Sequence, residues 1–160
     1  MKSVQNKCMK AVILRNRGVI DYANDVKEIP VPRKGEVQIK VEYAVLNPSD
    51  TYLMRGYYNG EFDYPYIPGG EGSGTVIQNG GGLYGWSLVG KRVAFTRPFE
   101  RPGKYSKGGA FAEYITTNAF QCVELDNSLS FEQGATALLN PLSAVAMFDT
   151  IQTYKPRAVI

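Results

Sequence analysis

The chain has 160 residues, 44% hydrophobic and 21% charged, enough for one sizeable core and little beyond it. Its net charge of +3 comes from scattered lysines and arginines rather than a basic stripe, which argues against a nucleic-acid surface. Histidine is absent and the two cysteines, Cys8 and Cys122, are far apart. This excludes Ser-His-Asp and Cys-His catalysis and every His-ligated metal within the chain, and leaves no CxxC pair for a zinc site. The cysteine usage fits a reducing compartment. No stretch approaches the roughly 18 apolar residues of a membrane span, and the opening MKSVQNKC lacks an apolar targeting core. The cytoplasm is the expected location, with the mitochondrion as second choice.

Residues 1–8 read as a flexible leader. Residues 9–14 (MKAVIL) form an apolar strand, and residues 36–43 (EVQIKVEY) alternate, placing Val37, Ile39, Val41 and Tyr43 on one face. Residues 29–35 (IPVPRKG) run extended between them and then turn. The NPSD at 47–50 predicts a short helix with Asn47 as N-cap and Pro48 at the first helical position, stopped at Gly56. Tyr52, Tyr57 and Tyr58 then lie near its ends. Residues 74–78 (GTVIQ) read as a strand, Asn79-Gly80 as a tight turn, the stretch through Gly85 as loop, and residues 92–95 (RVAF) as a strand again. Residues 96–109 form a long polar loop with two prolines, and residues 110–116 and 121–125 complete the β portion.

The pattern then becomes helical. Ser130 and Gln133 form a capping box. Asn140-Pro141 repeats the Asn-cap and proline device, opening a helix to about Gln152 with Leu142, Val145, Phe148 and Ile151 as its apolar stripe. Residues 157–160 (RAVI) read as an opening strand. Short strands followed by two terminal helices predict an α+β, mainly β, barrel-like domain.

The span 47–74 concentrates an Asn-capped turn, tyrosines and glycines, which points to a small-molecule site. Gly70, Gly72 and Gly74 lead into a strand and not a helix, so they read as close barrel packing rather than a phosphate loop. Glu71 reads as a hydrogen-bonding or ion-pair residue. Asp50, at the third helical position, has a simple role beside the helix dipole.

A collinear series resembles the medium-chain dehydrogenase/reductase family across nearly the whole chain. It runs MKAV (9–12), PVPRKGEVQIKV (30–41), NPSD (47–50), RGYY (55–58), IPGGEGSGTV (67–76), GKRV (90–93), GGAFAEY (108–114), LSFEQGA (129–135) and NPLSA (140–144). The resemblance implies a GroES-like, partly open β-barrel over residues 9–154, normally followed by a Rossmann domain that binds NAD(P). On this reading residues 155–160 are the start of that domain, and the chain looks cut there.

Zinc-dependent members of that family place a cysteine ligand where this chain has Asn47, a histidine where it has Gly70, and commonly a cysteine where it has Asn140. Only Glu71 remains, and the four-cysteine structural zinc loop has no counterpart. The resemblance therefore points to the zinc-independent branch of quinone oxidoreductases and 2-enoyl thioester reductases. It implies Tyr58 as proton donor with Asn47 as its catalytic partner, and Asp50, Tyr52, Asn140 and Ser143 along the cleft beside the nicotinamide. The expected cofactor is NADPH, held by a Rossmann domain in a longer product or on another polypeptide, with no zinc. The isolated chain is then expected to bind NADPH weakly or not at all. The expected partners are a quinone, enone or enoyl thioester, with homodimerisation or association through the exposed C-terminal helix and strand. The alternative is a truncated, non-enzymatic accessory module with the same fold.

Overall fold

The computed structural model describes residues 8–57, 61–98, 104–105 and 108–158. Strand β3 (Glu36–Ala44) is the organising element, because Val37, Ile39 and Val41 at alternate positions give its first two thirds an apolar face. It pairs antiparallel with β5 (Glu71–Asn79) on one side and β8 (Tyr114–Asn118) on the other. β6 (Arg92–Thr96) and β9 (Cys122–Glu124) extend the sheet to the order β8-β3-β5-β6-β9. Val37, Ile39, Val76, Val93, Phe95, Ile115 and Cys122 fill its inner face. Burial pushes the Cys122 thiol up to about 12, so it serves as a small apolar side chain.

The hairpin of β1 (Cys8–Asn16) and β2 (Val19–Glu28) closes over this sheet without completing it. β1 touches the chain opposite through bridges at Ala11–Ala112 and Leu14–Tyr66. Met9, Ala11, Ile13 and Ile67 form a second core there, and Leu14, Leu53 and Tyr66 a third. A short parallel pair, β4 (Glu61–Phe62) with β7 (Lys104–Tyr105), lies apart from the main sheet. The result is the mainly β, partly open barrel with short helices that the sequence predicts.

Several local expectations need correction. Cys8 already belongs to β1, so the leader is at most residues 1–7, which lie outside the described residues. β3 does not alternate to its end. A register shift between Val41 and Tyr43 turns Tyr43 outward, where it is 46% exposed and hydrogen-bonds Glu132. That bond and the neighbouring negative charge raise the tyrosine's pKa. Residues 83–85, at the end of the stretch expected as loop, instead open helix α2 (Leu83–Leu88). Gly85 is buried in it because a Cβ there would lie 2.6 Å from Asn79 Oδ1. Residues 110–113 make bridges and single hydrogen bonds rather than extending β8. Within the expected 96–109 loop, Thr96 closes β6 and residues 104–105 form β7, while 99–103 and 106–107 lie outside the described residues.

The two terminal helices are α3 (Phe131–Ala135) and α4 (Leu139–Tyr154). The capping box of α3 is present, with Ser130 Oγ accepting from Gln133 N–H and Gln133 Oε1 accepting from Ser130 N–H. α4 starts one residue before the expected cap: Leu138 is its N-cap, and Asn140 and Pro141 lie inside the first turn. Its expected stripe has no partner surface among the described residues. Leu142, Val145 and Phe148 are 56–59% exposed, and no residue of the helix is buried. Arg157 and Ala158 form no strand, and residues 159–160 lie outside the described residues.

The glycines of β5 are packing positions. A Cβ on Gly72 would sit 2.6 Å from Tyr43 O, and one on Gly74 would collide with Lys40 O. Gly74→Ala should therefore destabilise the fold by about 1–3 kcal/mol, seen as a lower denaturant midpoint. Gly35→Ala, where a Cβ meets no atom within 4 Å but φ is +84°, should cost only its backbone strain, about 1 kcal/mol.

Candidate functional site

Helix α1 (Pro48–Met54) follows from its local sequence as expected. Asn47 is extended at the N-cap, Pro48 takes the first position, and Gly56 at φ +78° ends the helix. The Asp50 carboxylate accepts from Asn47 N–H at 3.0 Å. This places Asn47 and Asp50 at the mouth of the barrel, beside the start of β5, and buries both to within 6% of full exclusion.

There Asn47 meets a buried polar network. Its Nδ2 donates to Glu71 Oε1 at 3.0 Å, and its Oδ1 accepts from Asn140 Nδ2 at 3.0 Å. The second oxygen of Glu71 accepts the backbone N–H of Leu139 at 2.9 Å. Leu139 and Asn140 are neighbours at the start of α4, so the four residues close a ring. Glu71 is fully buried, and water cannot replace either donor.

Asp50 stands next to this ring. Burial is the main influence raising its pKa, and the Glu71 charge adds to it. The N–H groups of Asn47 and Gly70 and the charge of Arg97 oppose that rise. Arg97 in turn donates to the hydroxyl of buried Tyr66 at 2.8 Å. Next to Gly70, the Leu139 side chain comes within 3.0 Å of the point a Cβ would occupy.

The structure thus brings Asn47, Asp50 and Asn140 together with Glu71 and Leu139. Tyr52 is on the same helix but 55% exposed, its ring tilted against Tyr57 at 6.3 Å between centroids. Ser143 is on the exposed first turns of α4, with its hydroxyl donated to Leu139 O at 2.8 Å. Tyr58 lies outside the described residues. Asn47 therefore acts first as a junction between α1, β5 and α4. Leu139 is the participant that sequence reasoning did not find, because it contributes a backbone N–H and a methyl group, which leave no motif. Among the described residues no three His, Cys, Asp or Glu side chains group as metal ligands.

A barrel mouth built from an Asn-capped helix, a glycine-rich strand and the start of a long helix is the arrangement of a GroES-like domain. The alcohol dehydrogenase GroES-like domain family matches residues 33–127, and the chain belongs to it, within the medium-chain dehydrogenase/reductases. A quinone oxidoreductase assigned in Schizosaccharomyces pombe is 33% identical over 123 residues, 77% of this chain and 34% of its own. Trans-enoyl reductase tazE of Aspergillus terreus is 32% identical over 126 residues, 76% of this chain and 41% of its own. A mycobacterial protein solved in complex with NADPH superposes with a TM-score of 0.71 at 30% identity, covering 89% of this chain and 40% of that one. The chain thus spans between a third and about two fifths of these relatives.

The raised pKa of Asp50 has a definite consequence for stability. Its folded value lies above the ordinary 3.8, so its contribution is fully present below pH 3.8 and is lost as pH rises through the folded value. Relative to wild type, Asp50→Asn should therefore be least stable at about pH 3 and should recover as pH rises towards neutrality. Paired urea denaturation curves across that range check the slope, and an opposite slope contradicts the shift.

Proposed function

We propose that this chain forms the acceptor-binding half of a zinc-independent, NADPH-dependent reductase of quinones or α,β-unsaturated carbonyl or thioester compounds. The observation that carries the reading is the hydrogen-bonded ring at the barrel mouth. Asn47 and Asn140, which stand where zinc-dependent relatives hold cysteines, are bonded to each other, and Leu139 fills the space beside Gly70. Neutral amides in mutual hydrogen bonds are poor ligands for zinc, which takes thiolate, imidazole or carboxylate.

The residues also fit a nicotinamide on one point of chemistry. Asn140 is exposed and its Nδ2 is committed to Asn47, so its Oδ1 is the end left to accept an N–H such as that of a carboxamide. NADPH bound there supplies the hydride. The chain's own residues orient the acceptor and stabilise charge on its oxygen. Tyr58 donates the proton, with Asn47 and Tyr52 positioning the acceptor, a division of labour a phenol and an amide can perform without a metal.

The test is NADPH oxidation at 340 nm with 1,2-naphthoquinone and with a 2-enoyl thioester, using the chain joined to or mixed with a cofactor-binding half. Tyr58→Phe should lower kcat about 100-fold while leaving KM for NADPH nearly unchanged. An undiminished kcat rules Tyr58 out as donor, and no turnover of either acceptor class rules out the reductase. The isolated 160-residue chain should bind NADPH weakly or not at all, and a low-micromolar Kd by cofactor fluorescence would overturn that expectation.

One observation favours a second reading, an accessory module that works by association. α4 buries none of its residues and exposes Leu142, Val145, Met147 and Phe148, an unsatisfied apolar surface. Light scattering after size exclusion should show self-association; a monomer over a wide concentration range removes this support.

A further inference from the structure

The amide ring has a direction, and one residue sets it. As a carboxylate, Glu71 can only accept hydrogen bonds. The Leu139 N–H occupies Oε2, so Asn47 must offer its Nδ2 to Oε1, as it does at 3.0 Å. With that end fixed, Asn47 can present only Oδ1 to its other neighbour, and Asn140 must donate its Nδ2. Asn140 Oδ1 is then left on the exposed side of the ring. Burial makes this a constraint and not a preference, because Glu71 is 0% and Asn47 6% exposed. A reversed amide in either place would set donor against donor or acceptor against acceptor without water to intervene.

We propose that Glu71 is a positioning residue whose charge fixes the polarity of this ring. It thereby makes the outer end of Asn140 a hydrogen-bond acceptor, so the site takes an N–H or O–H donor from its ligand. The proposal rests on the reductase reading only in treating that outer face as ligand-bearing. The ring's direction is a property of the chain alone.

Replacing Glu71 by glutamine keeps the shape and removes one acceptor. The Leu139 N–H is fixed by the start of α4, so the single oxygen of Gln turns to it and the Gln NH₂ faces Asn47. Asn47 must then rotate to accept with Oδ1, its Nδ2 meets Asn140, and Asn140 rotates to accept with Oδ1. The outer end of Asn140 changes from acceptor to donor. A residue that merely filled space would leave the direction unchanged.

Scalar couplings across hydrogen bonds, measured by NMR on the isotope-labelled 160-residue chain without cofactor, read this direction. In wild type, Asn47 Nδ2 should couple to the Glu71 carboxylate carbon, and Asn140 Nδ2 to Asn47 Cγ. In Glu71→Gln the second coupling should reverse, with Asn47 Nδ2 coupling to Asn140 Cγ. Retention of the wild-type direction in Glu71→Gln overturns the proposal. If that variant does not fold, wild type still decides: coupling from Asn47 Nδ2 to Asn140 Cγ there overturns it equally. Because no NADPH is present, failure of the reductase reading leaves these results interpretable, and the reverse is also true.

Discussion

The Glu71 carboxylate is the contact on which the site depends. It is removed from water, which is costly for a charge unless each oxygen finds a donor. Here one oxygen takes the Asn47 amide, 24 residues away, and the other takes the first N–H of α4, 68 residues away. The start of a helix is also where backbone N–H groups lack partners and a negative charge is favoured. One side chain thus satisfies a helix terminus and an N-cap residue at once. The relative placement of α1, β5 and α4 follows from that double use.

The position of Glu71 depends on the glycines around it. Residues 70, 72 and 74 carry no side chain, so β5 can run against β3 at a separation that a Cβ on Gly72 or Gly74 would forbid. The irregular register between Val41 and Tyr43 belongs to the same region. It releases Tyr43 from the inner face to hydrogen-bond Glu132 at the start of α3. Ser73 Oγ reaches Phe131 O at 2.5 Å from the neighbouring position of β5. The glycine run therefore draws α3 and the barrel mouth onto one strand, and Glu71 lies at the end of that strand where α4 begins.

These facts explain what could be read from the sequence. Strands β1, β3, β5 and β6 were legible because side-chain alternation and β-branched residues are local signals, and α1 was legible because its cap, proline and terminating glycine are all local. Asn140-Pro141 misled for the same reason. It looks like Asn47-Pro48, but α4 is capped from a distance by Glu71, so the helix starts at Leu139 and Asn140 is free to bond Asn47. α2 was missed because Gly85 and the glycines at 80–82 just before the helix resemble a loop, whereas Gly85 lets the helix approach Asn79. Glu71 could be recognised as a hydrogen-bonding residue. Its partners could not, since contacts across 68 and 93 residues have no trace in local pattern.

α4 shows how polar and apolar contacts divide the work. An ordinary surface helix is oriented by burying one apolar stripe, yet none of the 16 residues of α4 is buried. Its direction is set at its first turn, through the Leu139 N–H and the Asn140 amide. A helix held by packing can slide or rotate by small amounts while keeping most of its contacts, because dispersion is only weakly directional. Hydrogen bonds to a buried carboxylate tolerate little such movement, since they weaken steeply with angle and leave unsatisfied groups when broken. Any displacement of α4 about its first turn must therefore either carry Asn140 and Asn47 with it or break the ring. The same four residues form the ring at the barrel mouth, so the orientation of the helix and the geometry of that ring are mechanically one variable.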